Sequence, residues 1–121
     1  MQVTKDSIGA VTVARLVGTL DSSSAQELHE EIQPLLLDQR PILLDFTGVS
    51  HVSDAGLRTM LAIYRQAQAV DGTVALVGLT KDVRSALLAT GFLRFFVVAD
   101  DLRGGLIALK QEEESERSIV V

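Results

Sequence analysis

The start of the chain carries two short segments with apolar residues, separated by a glycine. The segments are residues 3–8 and 10–17, and Gly9 lies between them. In the second segment Val11 and Val13 alternate with other residues, as in a strand that buries one face. The pattern predicts a β-hairpin.

A helix is predicted next, over residues 22–33. Its apolar residues recur at a spacing that places them on one helix face: Ala25, Leu28 and Ile32. Ser23 and Ser24 are each followed three residues later by Gln or Glu, which is the spacing of a capping box. Pro34 lacks a backbone N–H, so we expect the helix to kink or to end near Gln33.

Strands and helices alternate along the rest of the chain. Runs that are almost continuously apolar predict buried strands at residues 41–46, 73–77 and 92–98. Apolar residues at helical spacing predict a helix that starts at Leu57 and stops at the Asp71-Gly72 pair. A further helix is predicted over residues 80–90, with Thr80 as its cap and Gly91 as its stop. A last helix is predicted over residues 100–110. Gly104 and Gly105 weaken the last helix by about 1 kcal/mol each relative to alanine, so we expect it to depend on docking against the sheet.

The order of these elements predicts an α/β fold. Parallel strands joined by helices form a mostly parallel central sheet, which the N-terminal hairpin extends and four helices flank. We place the strand of residues 41–46 in the middle of the sheet, because both of its faces are apolar. A chain of 121 residues with 47% apolar side chains can bury one core unaided, so we expect one domain, over residues 1–110.

Composition narrows the classes of function. A net charge of −5 without a basic cluster argues against nucleic acid as a partner, because phosphate backbones attract clustered Lys and Arg. The absence of cysteine excludes thiol chemistry and is compatible with the cytoplasmic location that we expect. No apolar run approaches the roughly 18 residues that cross a bilayer, so no direct membrane insertion is expected. Glutamates dominate residues 111–121, which we interpret as an acidic, flexible tail.

The candidate chemistry lies in residues 43–61, which join a buried strand to a helix. The turn between them reads Ser53-Asp54-Ala55-Gly56. The first amides of a helix have no partner within it and carry partial positive charge, so they favour a carboxylate or a phosphate. The turn is therefore a candidate site for a negatively charged group, either a carboxylate of the chain or a phosphate.

This segment resembles the signature of STAS domains, which occur in anti-sigma-factor antagonists and in sulfate transporters. The resemblance covers the strand, Gly-Val-Ser at residues 48–50, the turn that ends in Gly56, and the Leu57-Arg58 pair. Two further elements agree with the family pattern: Gly18-Thr19-Leu20-Asp21 and Thr90-Gly91-Phe92. The likeness extends over residues 1–110 and implies the STAS fold for them.

The resemblance also implies a regulatory function without catalysis. In the antagonist branch, the second residue of the turn is a serine that an anti-sigma factor with kinase activity phosphorylates. Asp54 holds that position here, so phosphorylation at the usual site is chemically impossible. We expect an anti-sigma-factor antagonist-like protein that binds a kinase-type anti-sigma factor, thereby releases a sigma factor, and needs no cofactor.

Three hypotheses follow from this substitution. Asp54 mimics the phosphorylated serine in part, with about one negative charge against roughly 1.5 to 2 for phosphate. Alternatively, Ser53 has become the phosphoacceptor, although its hydroxyl lies one position away from the usual one. The third hypothesis is that the protein binds its partner without any phosphorylation switch.

The expected partner surface surrounds Asp54. Its residues are Asp21, Ser22, Ser53, Asp54, Gly56 and Arg58. Gly56 would permit close approach of a partner backbone, since it has no side chain. Local chemistry offers a second interpretation, in which Asp54 or Ser53 caps the second helix, Asp21 caps the first, and Arg58 is a solvated charge. Capping and partner binding do not exclude each other.

Enzyme and metal chemistry are disfavoured. Ser53, His51 and Asp54 lie within four positions of the chain and cannot easily converge as a hydrolase triad does. We expect His29 to face solvent, and neither histidine shows a metal-ligand spacing. Two other functions stay open, a soluble STAS subunit of a membrane transport complex and a stressosome-like scaffold. The sequence also leaves a homodimer open, and it identifies neither the partner nor the sigma factor.

Overall fold

The structure, a computed structural model, describes the backbone of residues 1–119 and the side chains of residues 1–114. Strands and helices alternate along the described chain after an initial hairpin. The strands are β1 (Gln2–Ile8), β2 (Val11–Leu20), β3 (Ile42–Val52), β4 (Val74–Val77) and β5 (Val97–Ala99). The helices are α1 (Ala25–Leu37), α2 (Asp54–Ala69), α3 (Lys81–Thr90) and α4 (Leu102–Ile119), and a short 3-10 helix spans Leu93–Phe95.

The strands form one sheet in the order β1-β2-β3-β4-β5. β1 is antiparallel to β2, and the turn between them contains Gly9 at a φ of +60°. The other neighbouring pairs are parallel. β3 lies at the centre, as its two apolar faces predicted, and the α/β architecture with an N-terminal hairpin is confirmed. Parallel strands bring their carboxyl ends to one edge, so the turns after β2 and β3 meet there.

Three helices cover one face of the sheet and bury most of the core. Leu28 and Ile32 of α1 and Met60 and Ile63 of α2 are fully buried with Phe46 of β3. Burying side chains of this size contributes roughly 1.5–3 kcal/mol each. α3 packs on the same face, with its first amides capped by Thr80 and its end at Gly91, as predicted.

Among the described elements, only α4 covers the other face, where it packs over β3, β4 and β5. Close packing here depends on Gly105, because a Cβ at this position would lie 2.6 Å from Val77 Cγ1 and 2.7 Å from Leu43 Cδ1. Leu109 is buried against the same strands. Gly105 thus weakens the helix locally but permits the close docking on which α4 depends.

The predicted early end of α1 is wrong, since the helix runs through Pro34 to Leu37. Pro34 is exposed, and so is Glu30, whose carbonyl lacks its usual helical partner and can bind water instead. Beyond the proline, Leu36 is buried in the core. Burial at the end of the helix therefore outweighs the local cost of the proline.

The strand predicted over residues 92–98 is shorter in the structure. Leu93–Phe95 forms a 3-10 helix, and only Val97–Ala99 joins the sheet. The reason is aromatic packing against α2, because the Phe95 ring stacks on Tyr64 at 4.7 Å between centroids and Phe96 meets the same ring edge-on.

The predicted end of the last helix is also wrong, since α4 continues to Ile119. Glu112, Glu113 and Glu114 are exposed on this extension, and glutamate is a good helix former. Flexibility of the acidic segment stays a prediction, and residues 120 and 121 lie outside the described chain. Within the described residues, no helix has the length and apolar character that crossing a bilayer requires.

The two adjacent glycines of α4 should respond oppositely to alanine. We expect Gly105→Ala to lower the free energy of unfolding by about 1–3 kcal/mol, because the new methyl group would overlap Val77 and Leu43. Gly104→Ala is the matched control. Its Cβ would meet Asp101 Oδ1 at 3.2 Å and Ala99 Cβ at 3.4 Å, so helix propensity should leave stability unchanged or raise it by up to about 1 kcal/mol. Urea unfolding measures both, and equal effects would contradict the packing described here.

Candidate functional site

The amino-terminal end of α2 is capped by Ser53. The serine has extended backbone angles, and its Oγ accepts a hydrogen bond from Gly56 N–H at 3.3 Å. The side chain is half-buried. The local interpretation of Ser53 as a helix cap is therefore confirmed, and its hydroxyl is directed toward the helix rather than outward.

Asp54 is the first residue of α2 and is exposed. Its carboxylate lies in the first turn, where partial positive charge stabilises an anion by about 0.3–1 kcal/mol. Neither the Lys5–Glu31 nor the Arg15–Asp45 ion pair includes Asp54, and among residues 1–112 no side chain forms a hydrogen bond or ion pair with its carboxylate. The charge is thus held at the surface and is accessible to another molecule.

The turn after β2 and the start of α2 are joined through the backbone. Ser53 N–H donates to the Leu20 carbonyl oxygen at 2.9 Å. Gly56 is buried against the same carbonyl, because a Cβ on it would lie 2.6 Å from Leu20 O and 2.9 Å from Val52 Cγ1. The close approach expected at Gly56 is therefore made by Leu20 of the same chain, and Gly56 contributes to the surface by positioning α2.

Asp21 organises the turn that leads into α1. Its Oδ1 accepts from the Ser23 hydroxyl at 2.6 Å, from Ser23 N–H at 2.9 Å and from Ser24 N–H at 3.3 Å. These hydrogen bonds, above all the one from the Ser23 hydroxyl, lower the pKa of Asp21 from its usual 3.8. The side chain therefore stabilises the turn of residues 21–24, at the sheet edge where Asp54 also lies. The predicted cap of α1 by Asp21 is wrong, because the N-cap residue of α1 is Ser24 and no side chain caps the helix.

Ser24 is buried and stabilises this turn through hydrogen bonds. Only 4% of it is exposed, and its hydroxyl donates to the Thr19 carbonyl at 2.7 Å while accepting from Asp21 N–H at 3.0 Å. The predicted capping box is wrong, because this hydroxyl is directed back toward β2 and makes no capping bond to α1. The sequence did not predict that Ser24 would bond back to β2. The only sequence signal near this contact is the Gly18-Thr19-Leu20-Asp21 element.

An open groove of about 350 Å³ between α1 and α2 extends the surface. Ser22 and Arg58, both predicted surface residues, line it and are exposed. His29 also lines the groove, where it is half-buried and forms a hydrogen bond with Gln66 at 3.1 Å, so it is only partly exposed to solvent. The structure thus brings Ser22 and Arg58 to one groove that begins beside Asp54.

The histidines and carboxylates do not assemble a reactive cluster in the described part of the chain. His51 is exposed, and no hydrogen bond joins it to Ser53 or Asp54. Within the described residues, no three His, Asp or Glu side chains converge as metal ligands would. The arrangement supplies fixed charges and hydrogen-bonding groups on a surface, which suits recognition of another protein.

Comparison with known proteins gives one consistent family. The family model of the STAS domain matches residues 2–105. BtrV of Bordetella bronchiseptica, named as an anti-sigma factor antagonist, is 32% identical over 111 residues, which cover 91% of this chain and 96% of that protein.

Solved structures agree on the fold. A crystal structure from Thermotoga maritima, titled an anti-sigma factor antagonist, matches with a TM-score of 0.82 at 16% identity, covering 89% of this chain and 94% of the other. The murine anion transporter Slc26a9 matches with a TM-score of 0.76 at 16% identity, covering 87% of this chain but 18% of the transporter. The fold thus occurs both as a small protein and as one part of a larger transporter.

The pKa of Asp21 should depend on the neighbouring hydroxyl. In Ser23→Ala the pKa of Asp21 should rise toward 3.8, since its strongest hydrogen bond is lost, whereas Ser22→Ala should leave it unchanged. NMR titration of the side-chain carboxyl carbon measures this. Because the folded-state pKa is lowered, Asp21 adds stability above pH 3.8 and loses this contribution as pH falls through the folded-state value. Equal titration of Asp21 in both variants would contradict the hydrogen-bond assignment.

Proposed function

The chain belongs to the STAS domain family, and from this premise we propose that it acts in the bacterial cytoplasm as a non-enzymatic anti-sigma-factor antagonist. In this function it binds a kinase-type anti-sigma factor and thereby releases a sigma factor. The observation that carries the proposal is the exposed carboxylate of Asp54 at the first turn of α2. In the antagonist branch that the chain resembles, the serine that becomes phosphorylated occupies the position of Asp54.

The charge at residue 54 is permanent. A carboxylate supplies about one negative charge, whereas a phosphorylated serine supplies roughly 1.5 to 2 together with more acceptor oxygens. Asp54 therefore reproduces the phosphorylated state only in part. We infer that the partner binds a surface whose affinity no kinase adjusts at this position.

Ser53 is a poor substitute for the missing phosphoacceptor. Its hydroxyl is half-buried and accepts from Gly56 N–H, so a kinase would have to displace the cap in order to reach it. A capping serine also contributes about 1 kcal/mol to its helix. These contacts favour an unswitched antagonist over one that is phosphorylated at the neighbouring residue.

The proposed partner surface carries both signs of charge. Asp54 and Arg58 are one helical turn apart on α2 and are both exposed, and Ser22 lies across the groove from Arg58. A partner that matches this surface would place a cation or amide donors near Asp54 and an acceptor near Arg58. Charge pairs of this kind govern specificity and association rate more than total affinity.

Affinity purification from the bacterium that makes this chain tests the partner. The native chain should enrich an anti-sigma factor with a kinase domain, and Asp54→Lys should reduce its recovery at least about tenfold by reversing the charge at the interface. Asp38→Lys is the matched control, because Asp38 is an exposed aspartate at the far end of α1. Recovery of a transport ATPase instead, or equal recovery by both variants, would overturn the proposal.

Replacing Asp54 by serine should make residue 54 a substrate for phosphorylation. Asp54→Ser should be phosphorylated at residue 54 when mixed with the purified partner kinase and ATP, because its hydroxyl would stand at the exposed first position of α2. The native chain should not be labelled, which intact-mass spectrometry measures. Ser53→Ala in the Asp54→Ser background checks the position of labelling. Phosphate on Ser53 of the native chain would contradict the unswitched binding proposed here.

A further inference from the structure

A cavity lies at the edge of the sheet where the parallel strands begin, opposite the edge that carries Asp54. Its volume is about 470 Å³, which is within the range of small-molecule sites. Val74 and Val97, the first residues of β4 and β5, form part of its wall, and the end of α2 and one side of α4 complete it. The cavity shares no residue with the Asp54 surface.

Aromatic rings form one wall of this cavity. The rings are those of Tyr64, Phe95 and Phe96. Tyr64 stacks on Phe95 at 4.7 Å between ring centroids and meets Phe96 edge-on at 5.8 Å, so the three rings hold one another in place. A further aromatic ring can extend such a cluster through offset or edge contacts. The wall therefore favours a ligand that has a flat apolar group.

Charged side chains of both signs also line the cavity. Arg94 comes from the 3-10 helix, Asp71 from the loop before β4, and Glu112 from α4, and all three are exposed. The guanidinium of Arg94 lies over the Phe95 ring, with Cζ 5.1 Å from the ring centroid, which keeps the positive charge beside the aromatic wall. Among residues 1–112, no side chain forms an ion pair or hydrogen bond with any of these three charged groups.

These charges define the chemistry of a ligand that fits the cavity. A ligand with only a positive group would be repelled by the guanidinium of Arg94, and a ligand with only a negative group would meet two carboxylates. A zwitterion satisfies both signs, because its carboxylate accepts hydrogen bonds from the guanidinium while its ammonium group donates to the carboxylates. A free α-amino acid carries these two groups, and an aromatic amino acid adds the ring that the wall favours.

We propose that this cavity binds a free aromatic amino acid. The ligand carboxylate pairs with Arg94, and the ligand ammonium group is attracted to Asp71 and Glu112. The ligand ring packs against the aromatic wall beside Tyr64. Because the cavity lies at the opposite end of α2 from Asp54, this inference is independent of the partner proposed for the Asp54 surface.

NMR titration of the isotope-labelled chain tests the ligand class. At least one of L-phenylalanine, L-tyrosine and L-tryptophan should shift the amide signals of Gly72 and Thr73 saturably, with a Kd of about 1 mM or below. Phenethylamine lacks the carboxylate and 3-phenylpropionate lacks the ammonium group, so each should bind at least about tenfold more weakly than L-phenylalanine. Absence of saturable binding by all three amino acids, or equal binding by either analogue, would overturn the proposal.

Charge-neutral variants test the two ends of the ligand separately. Arg94→Gln and Glu112→Gln should each weaken binding of the amino acid at least about tenfold, because each removes one charged contact. Arg94→Gln should not weaken binding of phenethylamine, which has no carboxylate to lose its partner. Arg65→Gln is the matched control, since Arg65 is exposed on α2 outside the cavity. An equal loss in Arg65→Gln, native affinity in Arg94→Gln, or ligand-induced shifts confined to the Asp54 edge would contradict the assignment.

Discussion

The backbone contact between the end of β2 and the start of α2 is the constraint on which the candidate surface depends. The carbonyl oxygen of Leu20 accepts a hydrogen bond from Ser53 N–H at 2.9 Å. The first turn of α2 packs closely against the same carbonyl, and Gly56 permits this approach because it has no side chain. The charge of Asp54 is therefore held beside the turn of Asp21. Without this contact the two loops would move independently, and the residues of the surface would not face one partner together.

The two faces of the sheet are buried by different numbers of the described helices. Three helices bind one face through large, fully buried side chains, which holds the Asp54 edge in place. One helix covers the other face, and its close approach requires a glycine at residue 105. Val13 of β2 is buried beneath this helix, whereas Val17 of β2 and Ile8 of β1 remain exposed.

Permanent charge at residue 54 changes how such a domain can be regulated. The resemblance to the antagonist branch implies a serine at this turn whose charge a kinase sets, whereas here the carboxylate is encoded. Control of the proposed complex then depends on the amounts of the protein and of its partner. Mass action supplies such control, because the fraction bound depends on both concentrations.

Much of the fold could be predicted from local patterns. Alternation around Gly9, the doubly apolar strand of residues 41–46, and the Thr80 and Gly91 signals of α3 act over a few residues, so they are visible in the sequence and agree with the structure. The identity of the residue at the first turn of α2 and the cap at Ser53 could be predicted for the same reason.

Other features depend on contacts between residues far apart in the chain. Pro34 stays within α1 because Leu36 reaches the core, and residues 92–96 leave the sheet because the rings of Phe95 and Phe96 pack on Tyr64. Gly56 faces Leu20 rather than a partner, and Ser24 turns inward to Thr19. Tertiary packing also decides which side chains of the sheet α4 covers, since Val13 of β2 is buried beneath it and Val17 of the same strand is exposed. Sequence alone determined the elements and the charge at residue 54, and only packing decided which groups remain exposed, because burial depends on neighbours that local patterns do not specify.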